Sequence, residues 1–339
     1  MNNLYKINRV EWFRLLQTLS VSSYNIFVPV RKNGGIDYTV FNRENSDEIV
    51  YNEAKPATPL KMFFLPVKLN VTETYKVLNK TIIIGAPACD IEGLKLLDLI
   101  YLDEKFVDET YLSRRENTLI ISTDCYVTQE HCHCTTYGIN PYPENGCDIA
   151  LSSDKDVLYL MTWSEKGDQF IQDLISSGQF DPVDKNKIET ISENRNRTIK
   201  AFSEKNENIP GIEKTGERIK ESGLEIWKKY SSNCVSCGAC SAICPTCTCF
   251  LLIDRPGFEK VKQQDTCQYP AFERVAGGED PLKELSMRFK NRYMCKYVWK
   301  PERFNVIACT GCGRCTEACI AKISKNELIM ELVCKTLIG

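Results

Sequence analysis

The chain has 339 residues, with 43 Lys and Arg against 45 Asp and Glu, a formal net charge of −2 and 43% hydrophobic residues. This balance offers no basic surface for nucleic acid, and no stretch approaches the roughly 18 consecutive apolar residues that span a bilayer. The start, MNNLYKINRVEWFRLL, has charges where a secretory apolar segment would lie, so we expect a cytoplasmic protein with neither nucleic acid nor membrane as a partner. The unusual number is 18 cysteines, which in a reducing compartment indicates metal–thiolate chemistry rather than disulfides.

The first half of the chain mixes helix and strand patterns. Apolar residues at helical spacing over 5–20 predict an amphipathic helix, and two β-rich runs around Asn33-Gly34-Gly35 predict a hairpin. A helix that Asp90 caps is predicted to run to about Leu102. Strands are predicted over 81–84, over 117–125 and, as a pair around a polar turn, over 148–163. Together these elements predict an α/β domain.

A polar stretch over 184–215 predicts a linker that is partly helical, and the sequence after it, 216–230, predicts a helix. We therefore place a domain boundary near residue 205. Residues 1–205 are expected to form the α/β domain and its linker, and residues 206–339 an α-helical ferredoxin-like domain, which suits a chain of this length.

Two cysteine runs lie in the last third of the chain. The first run reads C-x2-C-x2-C-x3-C-P, and the second has the same spacing with Ile320 in place of the proline. Such a run wraps one loop around an iron–sulfur cubane, while its last cysteine binds the neighbouring cluster. Glycines within the runs let the backbone approach the sulfurs closely. We therefore assign one [4Fe–4S] cluster to Cys234, Cys237, Cys240 and Cys319, and the other to Cys309, Cys312, Cys315 and Cys244.

Zinc is the alternative for these runs. Two CxxC pairs could form a zinc ribbon, but zinc takes four ligands and would leave the third and fourth cysteines of each run without a role. Roughly 65 residues separate the runs and are rich in helix formers. This insertion favours a helical ferredoxin over the small βαβ kind.

A looser set of cysteines lies in the N-terminal half, at Cys89, Cys125, Cys132 and Cys134. The first two follow predicted strands, and neighbouring parallel strands would bring them to one edge of the sheet. We favour a third [4Fe–4S] cluster there. Zinc with mixed ligands remains an alternative because His131 and His133 lie in the same segment, and so does a set of core cysteines without a metal.

Six cysteines take no part in these assignments: Cys147, Cys247, Cys249, Cys267, Cys295 and Cys334. We interpret Cys147 and Cys334 as buried apolar thiols. Cys247 and Cys249 directly follow a cluster run, where they could line its pocket or donate hydrogen bonds. Spacing alone gives only weak support to a further site that would join Cys267 and Cys295 to them.

Motifs along most of the chain resemble a known family. CVSCGACSAICPTCTCFLLID, TCQYPAFERVAGGEDPLKELSMRFKNRYMCKYVW and CTGCGRCTEAC are similar to the 4Fe-4S electron-transfer chain of the anaerobic sulfite reductase and to the iron–sulfur beta subunits of sulfhydrogenases. ACDIEGLKLLD, YLSRREN and C-x6-CHC-x3-G occur in the same order in that family. The chain departs from the pattern at Ile320, and at Cys295, where family members tend to have histidine. The second departure could alter the surroundings of a cluster.

The resemblance implies a non-catalytic electron-transfer subunit of an anaerobic sulfite reductase. Its partners would be a reductase subunit that binds flavin and NAD(P)H, together with a sirohaem catalytic subunit that reduces sulfite to sulfide. The chain itself has no GxGxxG after a strand and no clean sirohaem cysteine signature, so we expect the chemistry to occur in a partner. One alternative is a relay in a cytoplasmic hydrogenase, sulfhydrogenase or heterodisulfide-reductase-type complex, and another is a redox sensor or scaffold.

Seven basic residues lie near the C-terminal motifs: Arg292, Lys296, Lys300, Arg303, Arg314, Lys322 and Lys325. They could face a partner or screen the negative charge of the clusters. The more common explanation for such scattered residues is the solvated face of a helix.

Overall fold

A computed structural model describes residues 3–22, 24–32, 34–72, 79–175, 180–183 and 189–334. They form a mixed α/β fold in which an N-terminal sheet precedes a helical C-terminal region, as the sequence predicts. The strands are β1 (Leu4–Asn8), β2 (Tyr24–Lys32), β3 (Gly35–Val40), β4 (Lys68–Asn70), β5 (Lys80–Pro87), β6 (Thr118–Thr123), β7 (Ile149–Asp154), β8 (Val157–Thr162), β9 (Asp181–Pro182), β10 (Phe250–Arg255) and β11 (Glu259–Gln264). Within the described ranges, no helix is long and apolar enough to cross a membrane.

The helices are α1 (Arg9–Val21), α2 (Lys61–Phe64), α3 (Ala88–Tyr101), α4 (Glu109–Glu116), α5 (Glu165–Ile175), α6 (Glu189–Lys205), α7 (Ile212–Glu221), α8 (Leu224–Ser231), α9 (Ala239–Ala242), α10 (Leu285–Met294), α11 (Lys300–Phe304), α12 (Arg314–Glu317) and α13 (Lys325–Cys334). Short 3₁₀ turns lie at Ser46–Glu48 and Thr135–Tyr137, and a π-helical turn, Cys295–Trp299, joins α10 to α11.

The main sheet has eight strands in the order β3-β2-β5-β6-β7-β8-β1-β9. Strands β2, β5, β6 and β7 run parallel, and the remaining pairs are antiparallel. The predicted hairpin is confirmed by the pairing of β2 with β3, although Asn33 itself lies outside the described residues. The strands predicted over 81–84, 117–125 and 148–163 are also confirmed.

Two predicted helix starts are wrong. The first helix begins at Arg9 rather than near residue 5, because β1 pairs with β8 and takes the preceding apolar residues into the sheet. Asn8 then caps α1 by accepting a hydrogen bond from the Val10 amide at 2.9 Å. Helix α3 starts at Ala88, so Asp90 lies within its first turn and does not cap it.

Apolar side chains cover both faces of the sheet because alternate residues of a strand point to opposite sides. On one face of the sheet, Trp12 and Leu16 of α1 pack in a hydrophobic core that also contains Ile82 of β5. On the other face, Ile83 packs in the core that includes apolar residues of α3.

The C-terminal region contains a helical core and a small sheet. Trp227 of α8 packs against Phe289 and Tyr293 of α10. The sheet has the order β10-β11-β4, so the N-terminal half supplies one of its strands. The helix predicted over 216–230 is two helices, α7 and α8, because the chain leaves the helical conformation at Ser222 and Gly223. The polar linker is partly helical as α6, its residues 184–188 lie outside the described part, and the boundary near 205 stays a prediction.

Candidate iron–sulfur centres

Each cysteine run folds into a loop that ends in a four-residue helix, α9 in the first run and α12 in the second. Gly238 and Gly313 precede these helices with φ of 74° and 77°, a conformation that favours glycine. Space requires glycine as well, because a Cβ on Gly313 would lie 2.8 Å from the backbone oxygen of His131. The glycines therefore allow the loops to pack against neighbouring backbone.

The thiols of the two runs are interleaved. One cavity is lined by Cys234, Cys237, Cys240 and Cys319, with Cys315 beside them, and a second cavity is lined by Cys244, Cys309, Cys312 and Cys315. The last cysteine of each run therefore lies with the first three of the other. This is the arrangement that the crossed ligand assignment requires.

Buried cations surround these thiols. The Lys325 ammonium donates to the Cys309 sulfur at 3.3 Å, and an Arg292 guanidinium nitrogen donates to the Cys240 carbonyl at 2.9 Å. Burial lowers the pKa of Lys325, but the thiolates of Cys309 and Cys315 outweigh burial, so its pKa is raised and the ammonium stays charged.

The solvated-helix interpretation is wrong for four of the basic residues, which are buried: Arg292, Lys296, Arg314 and Lys325. A buried cation needs a nearby negative charge, and here the thiols of the two runs and Asp90 provide it.

Arg314 of α12 forms a buried ion pair with Asp90 of α3, and their side chains are 1% and 0% exposed. The contact is bidentate, with N–O distances of 2.5 and 2.9 Å, and the guanidinium also donates to the Pro56 carbonyl at 2.8 and 3.0 Å. The Asp90 carboxylate accepts from the Leu60 amide at 3.0 Å as well. Asp90 therefore anchors the second ferredoxin loop to the α/β sheet instead of capping a helix.

The N-terminal thiols meet at the carboxyl edge of the sheet, where the sequence predicts them. Strands β5 and β6 are parallel neighbours and end together, which brings Cys89 and Cys125 to the same edge. Cys132 and Cys134 pack there with Ala88 and Cys125 in one buried apolar cluster. Burial, assisted by the negative charge of Cys132, raises the pKa of Cys125 to about 12.

The His133 ring has other partners than these thiols. The buried ring of His133 contacts the His131 carbonyl through Nδ1 at 3.0 Å and the Lys325 ammonium through Nε2 at 2.9 Å. Burial, followed by the Lys325 charge, holds the pKa of His133 well below its usual range, so the neutral Nε2 accepts from Lys325. Among the described residues, no three or more His, Cys, Asp or Glu side chains are arranged to hold a single metal ion.

The N-terminal thiols lie directly against the second ferredoxin loop. The Cys132 thiol donates to the Cys312 carbonyl at 3.4 Å, and the His133 amide donates to the Gly311 carbonyl at 2.8 Å. A Cβ on Gly311 would lie 2.7 Å from the Cys134 nitrogen, so glycine is needed for this contact. The two candidate centres are therefore adjacent in space although about 180 residues separate them in the chain.

Sequence reasoning missed two residues that contact the thiols. Lys55 donates to the Cys132 sulfur at 3.4 Å and pairs with Glu317 at 2.9 Å, and the Tyr297 hydroxyl donates to the Cys309 sulfur at 3.3 Å. No motif surrounds either residue, so only the folded chain identifies them. Cys147 is a buried core thiol, as expected, whereas the side chain of Cys334 lies outside the described part.

The donor set fits iron–sulfur clusters. Thiolates are the ligands that such clusters require, the glycines leave room close to the sulfurs, and the buried cations balance negative charge.

Comparison with known proteins supports this chemistry. Residues 233–323 match the family model described as a 4Fe-4S dicluster domain, which implies two [4Fe–4S] clusters in the C-terminal region. Over 319 residues the chain is 31% identical to the sulfhydrogenase 2 subunit beta of Pyrococcus furiosus, covering 91% of this chain and 92% of that protein. The relative carries the name of one of the two families that the motifs resemble, and it is not a sulfite reductase subunit.

Proposed function

Since this chain belongs to the family of the sulfhydrogenase beta subunits, we propose that it is the iron–sulfur electron-relay subunit of a multisubunit hydrogenase or sulfhydrogenase complex. The observation that carries the proposal is that the thiols of the two ferredoxin runs and the N-terminal thiols lie side by side in the part of the chain that the structure describes. When bound, the clusters supply one-electron redox chemistry. The sulfite reductase assignment has weaker support, because the similarity over nearly the whole chain is to a sulfhydrogenase subunit.

The protein residues have three tasks in this proposal. The eight cysteines of the two runs bind two clusters in the crossed arrangement, and Cys89, Cys125, Cys132 and Cys134 bind a third. Buried ammonium and guanidinium groups beside the thiols stabilise the reduced, more negative state. Apolar packing around Cys132 and Cys134 keeps water away from the N-terminal centre.

A partner is proposed to dock beside the first centre. Cys237 is exposed, and the residues that line this cavity include Val235, 64% exposed, and Ile320, 71% exposed. An apolar rim around accessible thiols suits a protein interface. Ile320, which replaces the usual proline, contributes apolar surface to that rim.

The test is an inventory of metals and cofactors in the native complex, purified under anaerobic conditions. Nickel and flavin in the partner subunits, with at least about eight irons and eight sulfides in this chain, would support the proposal. Sirohaem absorbance without nickel would instead establish the sulfite reductase assignment. A chain that is colourless or holds only zinc would refute both.

A further inference from the structure

The small C-terminal sheet brings together Cys249 and Cys267, two cysteines that belong to neither the ferredoxin centres nor the N-terminal centre. Cys249 directly precedes β10, and Cys267 follows β11 by three residues. These strands pair antiparallel with Phe250 opposite Gln264, so both cysteines lie at the same end of the hairpin. The Asp265 amide donates to the Cys249 carbonyl at 3.0 Å and fixes this end.

The Cys247, Cys249 and Cys267 thiols lie near one another. The thiols of Cys249 and Cys267 interact electrostatically, and the negative charge of Cys247 also acts on Cys267. The Cys247 amide donates at 3.4 Å to the carbonyl of Cys244, which lines the second ferredoxin centre. Three thiols thus form one group, and this group adjoins that centre.

Cys295 shares two lysine neighbours, Lys296 and Lys300, with Cys247. It begins the π-helical turn Cys295–Trp299, a rare conformation that occurs frequently at functional sites. Lys300, just after this turn, lies within electrostatic reach of both Cys295 and Cys247.

Three lysines direct positive charge at the same loop. Lys61 is 3% exposed and donates to the Cys247 carbonyl at 3.1 Å; Lys296 is 2% exposed and donates to the Thr246 hydroxyl. Lys300 donates to the Thr246 carbonyl at 2.7 Å. Within the part of the chain that the structure describes, no carboxylate lies within ion-pair distance of these three ammonium groups. Lys61 and Lys296 are buried cations, and the negative charges that act on them come from the thiols of this loop, Cys247 and Cys244.

There is also open space beside the thiols. Cys247 and Cys249 line a cavity whose other walls include Lys61, Phe64 and Tyr101. Its lining combines apolar side chains with Lys61, with Asp265, and with Lys262 and Asp108, which form an ion pair at 2.6 Å. Lys61 is therefore the cation of this cavity that has no carboxylate partner among the described residues.

We infer that Cys247, Cys249, Cys267 and Cys295 bind an additional iron–sulfur cluster, distinct from the dicluster and from the N-terminal centre. A cluster held by four thiolates carries a net negative charge, which the three lysines would balance. The second ferredoxin centre would then lie beside three other centres: the first ferredoxin centre, the N-terminal centre and this additional cluster. The route of electron transfer would branch at the second ferredoxin centre. This inference rests on the proposed function only in treating the chain as an iron–sulfur protein.

The test compares Cys249→Ser and Cys267→Ser with Cys147→Ser, a matched control in which a buried core thiol is replaced. The full chain is prepared anaerobically with ⁵⁷Fe, and iron, sulfide and zinc are counted while Mössbauer and EPR spectra are recorded. Both test variants should lose about four irons and four sulfides per chain, and the control should lose none. Unchanged iron in the test variants, or stoichiometric zinc in the native chain, would overturn the inference. A native chain with no iron at all would instead overturn the proposed function.

Misfolding of a serine variant would not end the test. Alkylation of the native chain, followed by mass spectrometry, should find Cys247 and Cys295 protected while the clusters are bound and labelled once the iron is removed. Labelling of both in the iron-loaded chain would refute the inference. Cys295→His should retain the iron count yet shift the EPR g-values, because an imidazole can replace a thiolate as ligand.

Discussion

Replacing Lys325 by methionine should lower the reduction potential of the cluster bound beside it. The Lys325 ammonium lies 3.3 Å from the Cys309 sulfur, is buried, and has the neutral His133 ring as its other partner. A cluster becomes more negative when it accepts an electron, so a fixed positive charge nearby favours the reduced state. Methionine removes the charge and keeps much of the side-chain volume.

The magnitude follows from Coulomb's law. With about 6 Å between the ammonium and the cluster, and an effective dielectric constant of about 20, the interaction is about 3 kcal/mol. For a one-electron couple this corresponds to a potential lower by on the order of 100 mV.

The assay is an EPR-monitored redox titration of the anaerobically prepared chain, with iron content measured in parallel. Lys228→Met is the control, because Lys228 is an exposed residue paired with Glu225, and water and salt screen its charge. Lys325→Arg retains the charge and should restore most of the potential. A Lys325→Met chain with full iron content and a potential within about 20 mV of the native value would show that the buried charge does not act as described.

Three further predictions concern the centres and their support. Asp90→Asn leaves the Arg314 guanidinium buried without its counter-ion, which should destabilise the contact of α12 with α3 by about 3–5 kcal/mol. Hydrogen exchange in α12 should therefore accelerate by a factor of about 100 or more in Asp90→Asn. The control Glu225→Gln changes an exposed ion pair and should leave this exchange nearly unchanged. Equal exchange rates in the two variants would contradict the role of Asp90. Cys125→Ser should remove about four irons and leave the EPR signals of the other clusters intact, and an unchanged iron count would refute the third cluster. Removal of all clusters by oxidation and chelation should lower the helical far-UV circular dichroism signal, because Lys325 and the other buried cations lose their counter-charges. A cluster-free chain with native helicity would argue against a link between cluster binding and folding.

Local patterns were sufficient for much of the fold. The strands over 81–84 and 117–125 were predictable because each is a short apolar run bounded by turn residues, and the spacing of the two ferredoxin runs predicted a dicluster domain. The helix start at Arg9 was not predictable, because β1 exists only through its pairing with β8, about 150 residues away in the chain.

The iron–sulfur chemistry of this protein follows from the type and spacing of its cysteines, because these specify which ligands are available and how one loop can present them. Which thiols are neighbours, and which charges face them, follows only from the folded chain. Arg314 looked like a surface residue until its pairing with Asp90 was known, and Cys249 and Cys267 looked unrelated until β10 paired with β11. The physical reason is that contacts between distant segments depend on the packing of the whole chain, and the burial that fixes the charges at these centres exists only after that packing has formed.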